Sequence, residues 1–373
     1  MSTLSYTYDA VIVGAGLTGA LIAHRLAEAS QNVVVLEAKR APGDERRSTA
    51  NHAGVALLGT PEPYAALHAR LGADAGRKIW RLTRQNIDLL MASLQKVNLQ
   101  AAPVGSLRIT ADAAEAALLR ESAILLRQDL YAAELDDEIG FANLIDCGFQ
   151  VGLRTAEDLA FDPAALTTAL LDHANITVEY EAEVQAIRPA HRASGERAGA
   201  PAAPPYTIWA RKHYLHAHTV ILANSALAAR LYPGLASIVS PLAMHAIDLH
   251  VETELPTPLV THRGQIVIQA LGAEWRMVGF SSTDADILPA MAGIAQQLCP
   301  DAPVLARHSW WAAQSADGLP VVGEAPDMPN VYIVNGLGPH GWSWVGVAAD
   351  HAVNALLHDE KSTVLALDRF YQT

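Results

Sequence analysis

The segment DAVIVGAGLTGALIAHRLAEASQNVVVLEAKR, Asp9 to Arg40, constrains this chain more than any other. Val11 to Val13 form a short apolar run, the pattern of a parallel strand buried on both faces. Gly14, Gly16 and Gly19 follow in G-x-G-x-x-G spacing, and Leu17, Leu21, Ile22 and Leu26 then share one face of a helix. A second strand, Val33 to Leu36, ends at Glu37, eighteen residues beyond Gly19. Each part has a physical role in holding a dinucleotide. Gly14 permits the tight turn, Gly16 lets a pyrophosphate approach the backbone, and Gly19 lets helix and strand pack closely. The helix N-terminus offers unpaired N–H groups and a positive dipole, and Glu37 accepts hydrogen bonds from ribose hydroxyls. The motif does not choose between NAD and FAD, because both carry the adenosine and pyrophosphate it recognises.

The rest of the chain is long enough for a second unit. Its 373 residues exceed what one simple core accommodates, and 51% hydrophobic against 17% charged content predicts extensive burial. A formal charge of −13 argues against nucleic acid or an anionic membrane as partner. Cys147 and Cys299 stand in no metal-ligand spacing, so neither a metal nor a disulfide framework is expected. The first residues lack a secretion-signal pattern and the longest apolar runs fall short of a membrane span, which makes a cytoplasmic protein the expectation.

Along the chain, helices are predicted at 64–71, 74–97, 111–133 and, with Asp162 as N-cap and Pro163 in the first turn, from 163 onward. GSLRIT and NITVEYEAEVQAI read as strands, and the stretch 189–205, rich in Ala and Pro, as an exposed loop. HTVILANS is a second buried strand, and a mostly strand-like region follows from SPLAMHAIDLH to EWRMVGFSST. The expected fold is α/β: a Rossmann-type dinucleotide domain of residues 1–62, 150–235 and 316–373. An interleaved α+β substrate domain of 63–149 and 236–315 would contain a mostly antiparallel sheet.

Three further stretches, ILANSALAARLYPGL, DGLPVVGE and NVYIVNGLGPHG, occur in this order after the glycine motif. With it they make the chain resemble the D-amino-acid oxidase superfamily of FAD-dependent oxidoreductases over almost its whole length. It looks most like the branch with glycine and sarcosine oxidases and gamma-glutamylputrescine oxidoreductase. The resemblance implies non-covalent FAD, extended with its ring at the domain interface. It places Ala15, Leu17 and Thr18 beside the three glycines, Ala38 and Lys39 beyond Glu37, and Val184 against the adenine. Ser48, Thr49, Asn51, His52 and Asn224 would lie along the cofactor. Gly336, Gly338, Pro339, His340, Gly341 and Trp342 would form a turn at the pyrimidine side of the flavin, opening a helix whose positive end favours the reduced ring.

Several residues depart from the family pattern. Pro339 stands where glycine is usual and removes a backbone donor. Amino-acid-oxidising members carry an arginine before D-G-x-P; here Ala312 or Ala313 occupies that place, with Arg276 or Arg307 as candidate substitutes. RMVGFSSTDAD lacks the lysine that helps oxygen react in several oxidases, so the acceptor is oxygen or another oxidant. His52 falls one position later than the histidine covalently bonded to FAD in S-T-W-H-A-A-G sequences. Trp310, Trp311 and Trp342 are read as pocket walls, and Trp344 as core. His52 and His340 are the candidate proton handlers. The implied activity is hydride transfer from the carbon beside a primary or secondary amine, or an amino acid, to flavin N5. Oxidation of a 2-hydroxy acid, or a flavin-containing binding or assembly subunit without independent turnover, are the alternatives.

Overall fold

The computed structural model describes residues 6–40, 48–136, 144, 146–190, 205–211, 213–252, 254–281, 286–360 and 364–371. The chain opens with β1 (Thr7–Val13), α1 (Leu17–Glu28) and β2 (Val33–Leu36), the unit expected from the glycine motif. Next come α2 (Ser48–Asn51), β3 (Val55–Ala56), α3 (Tyr64–Leu71), α4 (Ala73–Lys96), β4 (Ser106–Thr110) and α5 (Ala113–Gln128). They are followed by β5 (Ala133–Asp136), β6 (Val151–Thr155), β7 (Leu159–Ala160), α6 (Pro163–Leu171), β8 (Ile176–Glu179) and β9 (Val184–Pro189). The second half holds β10 (Tyr206–Ala210), β11 (His213–Leu222), α7 (Ala228–Leu231), β12 (Val239–His250), β13 (Leu259–Thr261), β14 (Ile266–Leu271) and β15 (Glu274–Phe280). It closes with α8 (Leu288–Leu298), β16 (Val304–Ser315), β17 (Val321–Ala325), β18 (Met328–Asn335) and α9 (Val345–His358).

Two eight-stranded sheets organise these elements. The first runs β17-β18-β11-β1-β2-β8, with β10 and β9 added antiparallel beside β11. Its centre is parallel: β1 pairs with β11 and β2, β2 with β8, and β11 with β18. Val11 and Ile12 have no exposure, as a central strand covered on both faces requires. Helix α1 is buried nearly all round rather than on one stripe, because it lies between α9 and α6. The second sheet runs β16-β12-β15-β14-β13-β4-β6-β5, and only the β13–β4 pair is parallel. The fold is thus the expected Rossmann-type α/β sheet combined with a mostly antiparallel one.

Three local readings differ from the structure. Strand β6 belongs to the second sheet, although a division at residue 150 puts it with the first. The helix expected over 111–133 stops at Gln128, where Leu130 takes a left-handed φ of 64° and the chain turns back into β5. The expected single strand over NITVEYEAEVQAI is two, β8 and β9, separated by a turn with Glu181 at φ 56°. Residues 191–204 of the predicted exposed loop lie outside the described residues. Asp162 caps α6 as predicted, its carboxylate accepting from the N–H groups of Ala164 and Ala165.

Candidate active site

The glycine turn shows which glycines the protein itself requires. Gly14 has φ 107°, and a Cβ there would lie 2.8 Å from the Ala223 carbonyl oxygen. A Cβ at Gly19 would lie 2.0 Å from the Gly14 carbonyl oxygen. Both positions are closed by backbone. At Gly16 the nearest atom to an added Cβ is Thr49 Oγ1, at an ordinary 3.5 Å. Nothing in the fold demands glycine there, so its bareness fits a ligand that comes against the backbone. Gly16 is also the N-cap of α1, which receives no side-chain cap. Leu17 and Thr18, in that first turn, line the cleft beside it.

A cavity of about 690 Å³ extends from this turn along the ends of β2 and β9. Gly14, Gly16, Glu37, Ala38, Lys39, Thr49, Asn51, Val184 and Asn224, all expected cofactor residues, line it together. Glu37 is held in place by the N–H groups of Ala15 and Lys39, each 3.0 Å from one of its carboxylate oxygens. The Asn224 side-chain oxygen is buried with no protein partner, an orphan acceptor facing a space of suitable size. Arg230 and Arg307 add positive charge to the wall. An orphaned polar atom, an unfilled glycine cradle and an uncapped helix end fit a dinucleotide. The side chain of Ser48 lies outside the described residues.

The cavity continues into a narrower cleft through Gly16, Thr49, Ala223, Ser225, Trp310 and Trp311, which line both. The cleft is walled by Gly336 to Pro339, Gly341 and Trp342 on one side, and by Met244, Trp310 and Ala312 on another. His52 stands among them, its ring 4.9 Å from Trp342 and 6.2 Å from Trp310 between centroids. Its Nε2 lies 3.3 Å from the Pro339 carbonyl oxygen. A carbonyl only accepts, so Nε2 carries the proton and the buried, unpartnered Nδ1 carries the lone pair. Burial lowers the His52 pKa to about 4, and the Arg276 charge pushes in the same direction. Among the described residues no side chain with a fixed charge lines this cleft.

Strand β16 separates the two alanines considered for the arginine position. Side chains alternate across a strand, and Trp310 and Ala312 pack toward the cluster containing Met244 and Phe280, whereas Ala313 joins the opposite core. Both alanines border the cleft, and Ala312 shares the Trp310 face. Trp311 remains 63% exposed at the mouth, and Trp344 is fully buried core. Arg276 does not line the cleft. Its Nε and one terminal nitrogen grip Asp248 at 2.7 and 2.8 Å, and the other donates to the Ala50 carbonyl oxygen at 2.7 Å. That places it behind α2 as a brace for the segment carrying Thr49, Asn51 and His52.

The C-terminal turn departs from expectation in a second respect. The N-terminus of α9 is already capped, because Asn86 of α4 accepts from the N–H of Gly346 at 2.7 Å and of Val347 at 3.3 Å. The same side chain donates to the Trp342 carbonyl oxygen at 2.8 Å. The dipole of α9 therefore points at a protein amide. Gly341 and Trp342, at the head of a short 3-10 turn, line the cleft. Sequence reasoning missed Asn86 because its partners lie about 260 residues away.

His340 faces away from the cleft, into a second cavity of about 1030 Å³ behind the turn. Its Nε2 donates to the Gly264 carbonyl oxygen at 2.8 Å, leaving Nδ1 buried without a partner. Burial, with the nearby Arg108 charge, lowers its pKa to about 3. Neither histidine titrates near neutrality, as a proton handler at that pH would. Among the described residues there is no group of His, Cys, Asp and Glu able to hold a metal ion, and no helix is long and apolar enough to cross a membrane.

Comparison with known proteins agrees with this geometry. Residues 9–355 match the family described as DAO, FAD dependent oxidoreductase. Among solved structures, glycine oxidase from Geobacillus kaustophilus is similar at a TM-score of 0.77 and 19% identity, covering 98% of both chains. Iminodiacetate oxidase from Chelativorans sp. BNC1 is similar at 0.72 and 18% identity, covering 97% of this chain and 98% of the other. L-proline dehydrogenase from P. horikoshii is similar at 0.72 and 14% identity, covering 99% of both. No curated protein matches the sequence.

Proposed function

The chain belongs to the DAO family of FAD-dependent oxidoreductases, and from that premise we propose that it oxidises the C–N bond of a primary or secondary amine. The observation that carries this reading is the cleft wall: Ala312 faces inward where an arginine would grip a substrate carboxylate, and Arg276 is committed to Asp248 and Ala50. A cleft with no fixed charge suits an amine better than an α-amino acid.

Bound FAD supplies the two-electron acceptor for hydride leaving the carbon beside nitrogen, and water hydrolyses the resulting imine. The α1 N-terminus and Gly16 would hold the diphosphate, while Glu37 and Asn224 would take polar groups of the adenosine half and the linker. The Gly341 and Trp342 N–H groups would stabilise the ring's carbonyl side. Trp310, Trp342 and Met244 exclude water, and this apolar lining disfavours an ammonium ion, so the reacting nitrogen enters neutral. His52 stays neutral above about pH 4. Its Nδ1 accepts a hydrogen bond from the amine N–H and orients the carbon beside it, without drawing the proton away. FAD would be held non-covalently, as the resemblance implies.

The test is anaerobic bleaching of the bound flavin across a panel of amines and α-amino acids. Amines should bleach it rapidly and α-amino acids slowly or not at all. Rapid bleaching by α-amino acids would overturn the assignment from Ala312. Denaturation in the same preparation should release all the flavin into the supernatant.

A further inference from the structure

The cavity behind the C-terminal turn contains an acid that the sequence pattern would assign to a structural duty. Asp112-Ala-Ala-Glu115 has the spacing of a capping box, in which the glutamate reaches back to the N-cap N–H. One half of the box is present, since Asp112 accepts from the Glu115 N–H at 2.8 Å. The reciprocal half is not: the Asp112 N–H donates to Thr110 Oγ1 at 3.0 Å. Thr110 has taken the donor that Glu115 would use. Glu115 is 3% exposed, lines the cavity, and keeps one carboxylate oxygen buried with no partner.

The surrounding cations have other partners as well. Arg108 is the nearby buried cation; Glu115 leads the acids that share its field, followed by Asp158 and Glu62, while its N–H groups go to the Pro61 and Thr60 carbonyl oxygens. Arg70 is taken by Glu62, and Arg263, on the cavity wall, faces Asp112 at 3.7 Å. A further acid, Asp286, sits exposed at the rim. Ile79, Leu118, Phe280, Ile287 and Ala290 give part of the wall an apolar surface. Leu337 and Pro339 line both this cavity and the reaction cleft, so the two abut at that turn.

We propose that this cavity receives the far end of the substrate and that Glu115 binds a cationic nitrogen there, so the preferred substrate is an amine bearing a second positive charge across an apolar spacer. The proposal rests on the amine-oxidising reading above. It divides the two nitrogens by environment: the uncharged cleft takes the reacting one as neutral amine, and the carboxylate keeps the remote one charged.

The experiment pairs α,ω-diamines with monoamines of equal length, and adds an alkyl trimethylammonium probe together with its uncharged tert-butyl isostere. Calorimetry on the flavin-loaded protein measures binding of the probes, and anaerobic bleaching measures reduction by the amines. Expected is at least tenfold tighter binding of the cationic probe than of its uncharged isostere. Glu115→Gln should abolish the difference, with flavin content and melting temperature retained. In the same variant the diamine half-saturation constant should rise about tenfold and the monoamine constant stay unchanged. Asp286→Asn, at the exposed rim, should reduce the preference by a smaller factor and guards against misfolding of the first variant. Equal binding of the cationic probe and its uncharged isostere by wild type would overturn the proposal even if amines bleach the flavin. Glu115-dependent binding of the cationic probe in a protein that no amine reduces would instead support the cationic site and refute amine oxidation.

Discussion

The chain twice follows a buried strand with a glycine-bearing turn and a helix, and the two turns serve opposite electrostatic ends. After β1, helix α1 begins at Gly16 without a side-chain cap, and its first turn lines the cleft. After β18, helix α9 begins with its leading N–H groups already satisfied by Asn86 from another part of the chain. Similar local sequence logic thus leaves one helix end available to an anion and closes the other. A strand–glycine–helix pattern reports where a backbone turns; whether its dipole reaches a ligand depends on what packs across it.

The sharpest way to break this comparison is at the glycines of the first turn. Gly19→Ala sets a Cβ against backbone at 2.0 Å and should cost about 3 kcal/mol or more, read as a large fall in melting temperature. Gly16→Ala should leave the flavin-free protein's melting temperature within a few degrees yet lower its FAD affinity at least tenfold. Equal thermal damage from both would mean Gly16 is structural too.

At the second turn, Asn86→Ala uncovers the Gly346 N–H and the Trp342 carbonyl together and should cost about 2 kcal/mol. Asn86→Asp keeps the cap toward Gly346 and should recover part of it. Chemical denaturation measures both. No loss in Asn86→Ala would show that α9 is open after all.

The smallest effect concerns pH, and it separates the turns because His340 belongs to the second. Its folded pKa of about 3 lies below the ordinary value of 6.5, so in the window between them the unfolded chain binds the proton and the folded one does not. Stability therefore falls as pH drops from 6.5 toward 3, by about 1 kcal/mol per pH unit from this one group. His52 adds to the slope down to about pH 4. His340→Gln should flatten the dependence of unfolding free energy between pH 6 and 4; an unchanged slope would sink the assignment.

Features carried by short-range chemistry were legible in the sequence. The glycine turn, β2 ending at Leu36, the 64–71 helix and the Asp162 cap all follow from neighbours within a few residues. The site was legible where it lies on those elements, hence the shared lining by Glu37, Val184 and Asn224. The rest depends on distant partners. Asn86 reads as an ordinary polar residue of a long helix until Gly346 is packed against it. Arg276 reads as a free cation until β12 sets Asp248 opposite it, and Glu115 as half of a capping box until Thr110 takes its donor. Leu130 gives no sign of the left-handed turn that ends the predicted helix early, because only glycine advertises such a conformation.

The order in which the chain is made gives the His52–Pro339 contact a temporal meaning. The glycine turn leaves the ribosome well ahead of its partners: β11, which flanks β1, comes some two hundred residues later, and the Pro339 turn follows after that. Synthesis at roughly 5–20 residues per second separates these events by tens of seconds. A nascent chain can offer its phosphate cradle throughout that interval without being able to grip the ring. Grip on the ring and completion of the first sheet are then both late events.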